Sequence, residues 1–185
     1  MITKVLLMLS IAVGAHAQIS SRERLDWYWS QAYGPTAWVR AGFAAGLSHL
    51  SNSPEEWEQG AAGYGRRFAS RFGQNMVEDT IVLGAGWALA EDPRYKRQPD
   101  LPAGRRVWHA LRSTLVWRAD DGRLRPAIAS VGGVYGGAMI SMAWHPDRFR
   151  ATGDGVRIAN IRMASTAGLN LVREFWPEIR RIFKR

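Results

Sequence analysis

Few side chains in this 185-residue chain stand at spacings that could do chemistry. Beyond the N-terminal segment the histidines are His49, His109 and His145, and no HExxH or other close ligand pair joins them. A metal site would have to be assembled from distant carboxylates such as Glu78, Asp92 and Glu174. The absence of cysteine removes thiolate nucleophiles, cysteine-ligated metals and disulfides together. Ser48, Ser113, Ser130, Ser141 and Ser165 supply hydroxyls, but none stands in a GxSxG elbow. The carboxylates come as adjacent pairs, Glu55/Glu56, Glu78/Asp79, Glu91/Asp92 and Asp120/Asp121. Neighbours diverge around a helix, which is poor geometry for an acid and a base flanking one glycosidic bond. Gly132-Gly133 and Gly136-Gly137 make no GxGxxG fingerprint, so neither a nucleotide fold nor any other cofactor is indicated. No catalytic residue and no metal ligand is assigned. What remains is a set of polar groups within otherwise apolar stretches: Gln74, Asn75, Glu78, Asp79, His109, Arg112, Asn160 and Asn170. Buried polar groups must satisfy one another, so these are expected to form an interior network, structural before catalytic.

The elements that would position them read as helices. Strict apolar alternation is missing while glycine, alanine and arginine recur, which predicts an all-α fold, a bundle of closely packed glycine/alanine-rich helices. An amphipathic segment covers 21–33, and Pro35 suits the first turn of a helix over 36–50. Ser53, Pro54 and Glu56 then read as N-cap, first helical position and capping-box partner. The helix they open is expected to run from 55 to about 90, interrupted near 60–65 or at Gly73. Residues 91–97 stop it and 98–104 form a proline-rich connector. A helix over 105–118 follows, with Val107, Trp108, Leu111 and Leu115 on one stripe. Asp120-Asp121-Gly122 is a turn, Pro126 opens the uncharged run 127–144, and His145-Pro146-Asp147 closes it. A last helix spans 154–175 and breaks at Phe175-Trp176-Pro177. Gly46, Pro54 and 73–75 are echoed by Gly137, Pro146 and 168–170, the pattern of two similar helical hairpins.

Glycine in a helix costs up to about 1 kcal/mol relative to alanine, so repeated use calls for a compensating contact. Gly42/Gly46, Gly132/Gly136, Gly133/Gly137 and Ala164/Gly168 are each four apart, and they predict faces where another backbone approaches closely. The run 127–144 would span about 27 Å as a helix, marginal against a hydrocarbon layer of about 30 Å. Arg40, Glu78, Asp79 and Arg162 interrupt its neighbours and are costly in lipid. A buried packing helix in a soluble or peripherally associated bundle is therefore favoured over a spanning one.

Compartment and charge point outward. Residues 1–4 are basic, 5–13 apolar, and Ala15-His16-Ala17 offers small residues where a signal peptidase reads. Residues 1–17 are thus expected to be a signal peptide, 18–179 a single helical domain and 180–185 a basic tail, in an exported periplasmic or cell-envelope protein. Loss of Lys4 changes the formal charge from +9 to +8, carried almost wholly by arginine. That excess favours an anionic lipid or other envelope surface, with nucleic acid ranked last among partners. Trp176, Arg180, Arg181, Phe183, Lys184 and Arg185 have the composition of an interfacial tail. A second copy of the chain or another envelope protein would also suit such a surface.

EDPRYKR at 91–97, RRVWHALRSTLVWRADDGR at 105–123, SVGGVYGGAMISMAWHPD at 130–147 and EFWPEI at 174–179 resemble a group of exported bacterial proteins of unknown function, frequent in soil acidobacteria. The likeness covers roughly 41–179, and members often carry tyrosine-proline where this chain has Trp144-His145-Pro146. The resemblance implies a recurring helical module and brings no activity, cofactor or catalytic residue. The expected function is a cell-envelope helical scaffold or surface-binding protein. The alternative is a periplasmic enzyme or small-ligand binder with a polar pocket between helices.

Overall fold

Ser20 accepts a hydrogen bond from the Glu23 amide, and the Glu23 carboxylate accepts one from the Ser20 amide. This reciprocal cap opens α1 (Ser21–Ala32) in the computed structural model, which describes residues 19–182. The expected signal segment, as well as Phe183, Lys184 and Arg185, lies outside the described residues. Pro35 then starts α2 (Pro35–Leu50), with its missing amide at a position where no intrahelical partner exists.

The capping box expected at Ser53 does not form. Residues 55–57 make a single 3₁₀ turn, and α3 (Gly60–Ala88) begins later. Arg67 explains the delay. Fully buried, it donates to the Ser53, Pro54 and Glu58 carbonyls and to the Asn52 side chain, so the connecting loop closes around a guanidinium. The interruption expected near 60–65 falls just before Gly60, and from there α3 runs through Gly65 and Gly73 unbroken, because neighbours packed along its length outweigh about 1 kcal/mol per glycine.

The chain is mainly α-helical, as expected, but carries one small sheet that was not. β1 (Glu91–Asp92), β2 (Val116–Ala119) and β3 (Leu124–Pro126) pair antiparallel in that order. The helix predicted over 105–118 is α4 (Ala103–Arg112), ending six residues early, and Val116 and Trp117 continue as strand, which their side chains favour. Gly122, at φ +81°, turns β2 into β3. The featured apolar run becomes α5 (Ile128–Ser141) and a 3₁₀ turn over Met142–Trp144. A π turn at Ala151–Gly155 leads into α6 (Val156–Ile182).

The break expected at Pro177 is absent: α6 continues through it to Ile182. A helical proline disturbs the carbonyls of the preceding turn. Arg97 and Arg106 both donate to the Glu174 carbonyl there and supply hydrogen bonds to the disturbed turn.

α3 is the axis, with α2 on one side, α5 crossing it on the other, and α6 against α5 and α4. At the α3/α5 crossing a Cβ added to Gly133 would stand 2.5 Å from the Val82 side chain and 2.9 Å from the Glu78 carbonyl. One on Gly137 would stand 3.0 Å from Glu78 Cβ and 3.1 Å from the Gln74 carbonyl. The remaining glycines singled out differ. A Cβ on Gly136 would meet only the mobile end of Ile81, one on Gly42 would touch Tyr64 and Phe68, and those on Gly46, Gly132 and Gly168 would meet nothing within 4 Å. The four-residue spacing thus marks a close backbone approach at one of its registers.

Polarity is inverted relative to an ordinary bundle. The buried apolar residues are mostly alanines, while the largest fully buried side chains are Arg67, Gln74, Glu174 and Ser141. Val107, Trp108 and Leu111 of the stripe read from sequence face outward on α4, Leu115 is exposed in the turn after it, and the buried face of α4 carries Arg106 and Ala110.

Candidate functional site

The interior polar network forms along α3 and is closed by arginines from three helices. Arg162 of α6 donates to Glu78 at 2.9 Å and to Asn75 at 2.6 Å. Arg40 of α2 pairs with Asp79 at 2.8 Å, and Arg71 reaches Gln74 at 3.2 Å and Ser48 at 3.1 Å. Gln74, Asn75, Glu78 and Asp79 are thus brought together. Their partners were visible in the sequence only as lone charges in apolar helices. Burial raises the Asp79 pKa to about 6; Arg40 works against that and the neighbouring Glu78 adds to it. Burial lowers the Arg71 pKa from the ordinary arginine value, and Arg162 adds repulsion. Arg162, Arg40 and Arg71 thereby tie α6 and α2 to α3 through this network.

His109, Arg112, Asn160 and Asn170 lie elsewhere. Arg112 is exposed at the end of α4. Asn160 accepts a hydrogen bond from Tyr135 at the surface between α6 and α5. Asn170 is buried, with long contacts to the Ala110 carbonyl and Thr114, and His109 hydrogen-bonds the Lys96 carbonyl at 2.9 Å. The expectation of one network fails because α4 and α6 place His109 and Asn170 beside a separate cleft and leave Arg112 and Asn160 at the surface.

A clasp separates the two regions. The stretch 91–98 ties four helices. Glu91 accepts from the Ile128 and Ala129 amides and so caps α5, favoured by the positive end of that helix. Asp92 accepts from Arg94 and Lys96, and Arg94 also pairs with Glu23 of α1. Tyr95 donates to Glu174 of α6 at 2.7 Å, where the Gln98 amide and Arg106 of α4 also donate. Arg106 further pairs with Glu178. Burial works to raise the Glu174 pKa, but Tyr95, Arg106 and the Gln98 amide outweigh it and hold the carboxyl below its usual range. Three stretches far apart in sequence, 91–98, the start of α4 and the end of α6, therefore converge on one buried carboxylate.

Beside the clasp lies a cleft of about 340 Å³ between the 92–98 segment, β2, α4 and α6. His109 and Asn170 line it, as do Arg118 and Arg173, which were not singled out from sequence. Among the described residues no three His, Asp or Glu side chains are grouped to hold a metal ion. His49 and His145 serve packing: His49 contacts Arg67 and Tyr64, and His145 donates from Nδ1 to the Ser141 carbonyl and lies against Trp57 and Phe149.

The outer surface is the other candidate. On α2, Ala37, Ala41 and Ala45 are buried while Val39, Phe43, Leu47 and Leu50 are exposed, Phe43 by 69%. On α6, Ile161, Leu169, Val172 and Trp176 form an exposed uncharged stripe, followed by the exposed Arg180 and Arg181. No helix among the described residues is long and apolar enough to cross a membrane. The chain matches no family model, no curated protein and no solved structure.

Proposed function

We propose that the protein is an exported cell-envelope scaffold whose helices seat peripherally on an anionic membrane face. The observation that carries this reading is the inversion of α2, which buries alanines and presents Val39, Phe43, Leu47 and Leu50. In water alone the larger side chains would be the ones worth burying, at roughly 25 cal/mol per Å² of apolar surface. A contiguous exposed apolar face marks contact with something other than water. Tryptophans with one apolar and one polar edge suit the headgroup layer, and Trp38, Trp108 and Trp176 are each more than half exposed. The formal charge of the chain from residue 18 onward, +8 once Lys4 is lost from the +9 of the whole, supplies attraction to anionic lipid. With no spanning helix among the described residues, a seat on the surface suits the fold better than a channel through it.

The test is sedimentation of the chain 18–185 with vesicles of phosphatidylglycerol or of phosphatidylcholine, at low and high salt. Sedimentation with the anionic vesicles that weakens with salt supports the reading. Equal recovery in the supernatant with both lipids overturns it, and a stable dimer on light scattering without lipid binding would assign the apolar face to a second copy.

A further inference from the structure

We infer that the cleft beside the clasp binds a small organic oxyanion, a phosphate or carboxylate carried on an aromatic or aliphatic body. The charges lining the cleft are Arg94, Lys96, Arg118 and Arg173 against Asp92, four positive and one negative, a balance of +3. Asp92 is already engaged by Arg94 and Lys96. Arg118 donates to the Gly122 carbonyl and Arg173 makes one long contact, 3.4 Å, with Asn170; neither has a carboxylate within ion-pair distance among the described residues. Arg24, Arg40, Arg106 and Arg162, by contrast, each hold a carboxylate, and the buried Arg67 is satisfied by carbonyls of the loop it closes.

The electrostatics of Arg173 point the same way. Burial lowers its pKa, and repulsion from Arg40 adds to the effect. An oxyanion in the cleft would offset both and accept two parallel N–H bonds from the guanidinium fork. The remaining walls define the body of the ligand. Val116, Trp117, Leu124 and Pro93 add apolar surface to the lining, and Thr166 and Ser130 add hydroxyls. A volume of about 340 Å³ lies at the small end of organic-ligand sites. The inference is independent of the membrane reading, since the ligand enters from water and the apolar face of α2 takes no part.

Calorimetric titration with phenyl phosphate, benzoate and inorganic phosphate in lipid-free solution tests it. Saturable binding of one phenyl phosphate or benzoate per chain is expected, tighter than inorganic phosphate, and at least about tenfold weaker in Arg173→Gln. Absence of saturable binding, or equal affinity in a folded Arg173→Gln variant, overturns the inference. A readout on the unaltered chain covers the case of a misfolded variant. Phenyl phosphate should slow modification of Arg173 by phenylglyoxal, located by mass spectrometry, while leaving exposed Arg112 unaffected; no protection, or equal protection of both, overturns it. Competition by phosphatidic acid vesicles for phenyl phosphate would identify the oxyanion as a lipid headgroup, and lack of competition a free solute. Vesicle binding that persists in Arg173→Gln separates this site from the membrane seat.

Discussion

The Tyr95 hydroxyl donates to the Glu174 carboxylate at 2.7 Å, joining the stop after α3 to the last helix across 79 positions of sequence. Around that bond Arg106 and the Gln98 amide complete the oxygens of a carboxylate that is fully buried. A buried carboxylate with fewer donors would be costly, so the clasp forms as a unit or not at all. It fixes one end of α6 and with it the wall of the oxyanion cleft.

Tyr95→Phe removes one hydrogen bond to a charged group while keeping the ring. The expected loss is about 1.5–2 kcal/mol, or roughly 3–8 °C in thermal midpoint for a domain of this size. Thermal unfolding followed by circular dichroism checks it; an unchanged midpoint would mean that Tyr95 contributes no net stability.

The two glycine pairs predict opposite signs for adjacent substitutions. Gly133→Ala drives a methyl into Val82 and the Glu78 carbonyl at the α3/α5 crossing and should destabilise by about 1–3 kcal/mol. Gly132→Ala meets open space on the same helix and should stabilise by about 0.5–1 kcal/mol. Doubling the bulk with Gly133→Leu and Gly137→Leu should sharply reduce the yield of folded protein. Denaturant midpoints of the two alanine variants decide the matter, and equal midpoints would contradict close approach at Gly133.

Asp79 and Glu174 impose opposite pH dependences. Asp79 has a folded pKa of about 6, above its ordinary 3.8, so between these values the folded state holds a proton that the unfolded state has released. Stability therefore falls as pH rises through that window, by at most about 3 kcal/mol, and Asp79→Asn should abolish this slope. Glu174 is held below its ordinary value, so its contribution is present above the usual glutamate range and is lost as pH falls through the folded value. Denaturation between pH 4 and 8 tests Asp79: relative to Asp79→Asn, the unaltered protein should gain stability as pH drops from about 7 to 5. A pH-independent difference would place Asp79 at its ordinary pKa.

Phe43→Glu with Leu50→Glu places two charges on the exposed face of α2, where both side chains already meet solvent. The thermal midpoint should change little, because exposed substitutions away from caps and pairs stay near 0.5 kcal/mol. Sedimentation with anionic vesicles should fall at least about tenfold, since the two carboxylates oppose both insertion and the surface charge. Retained vesicle binding would move the contact away from α2.

Legibility differed by element. The start of α2 at Pro35 and the uncharged run that becomes α5 were readable because proline and apolar continuity act locally. The capping box was placed at Ser53 while the same Ser-x-x-Glu pattern at Ser20 and Glu23 went unread, although it was equally present. Of the polar residues singled out, Gln74, Asn75, Glu78 and Asp79 meet because they lie on neighbouring turns of one helix, a relation that sequence spacing encodes. His109 and Asn170 reach the cleft, and Arg118 and Arg173 were missed, because their nearness depends on how α4, β2 and α6 are stacked.

By itself the sequence determined helix type, the absence of cysteine chemistry, the basic surplus and the glycine spacing, all of which follow from residue identity and local period. Only the tertiary structure decided which face of each helix turned inward. In α4 a stripe of Val107, Trp108 and Leu111 would by hydrophobicity alone have been the buried side, yet Arg106 takes that place because Glu174 and Glu178 stand opposite it. A guanidinium joined to a buried carboxylate compensates its desolvation only when the partner, 68 positions away, is brought to 3.0 Å, and no local pattern of residues carries that distance.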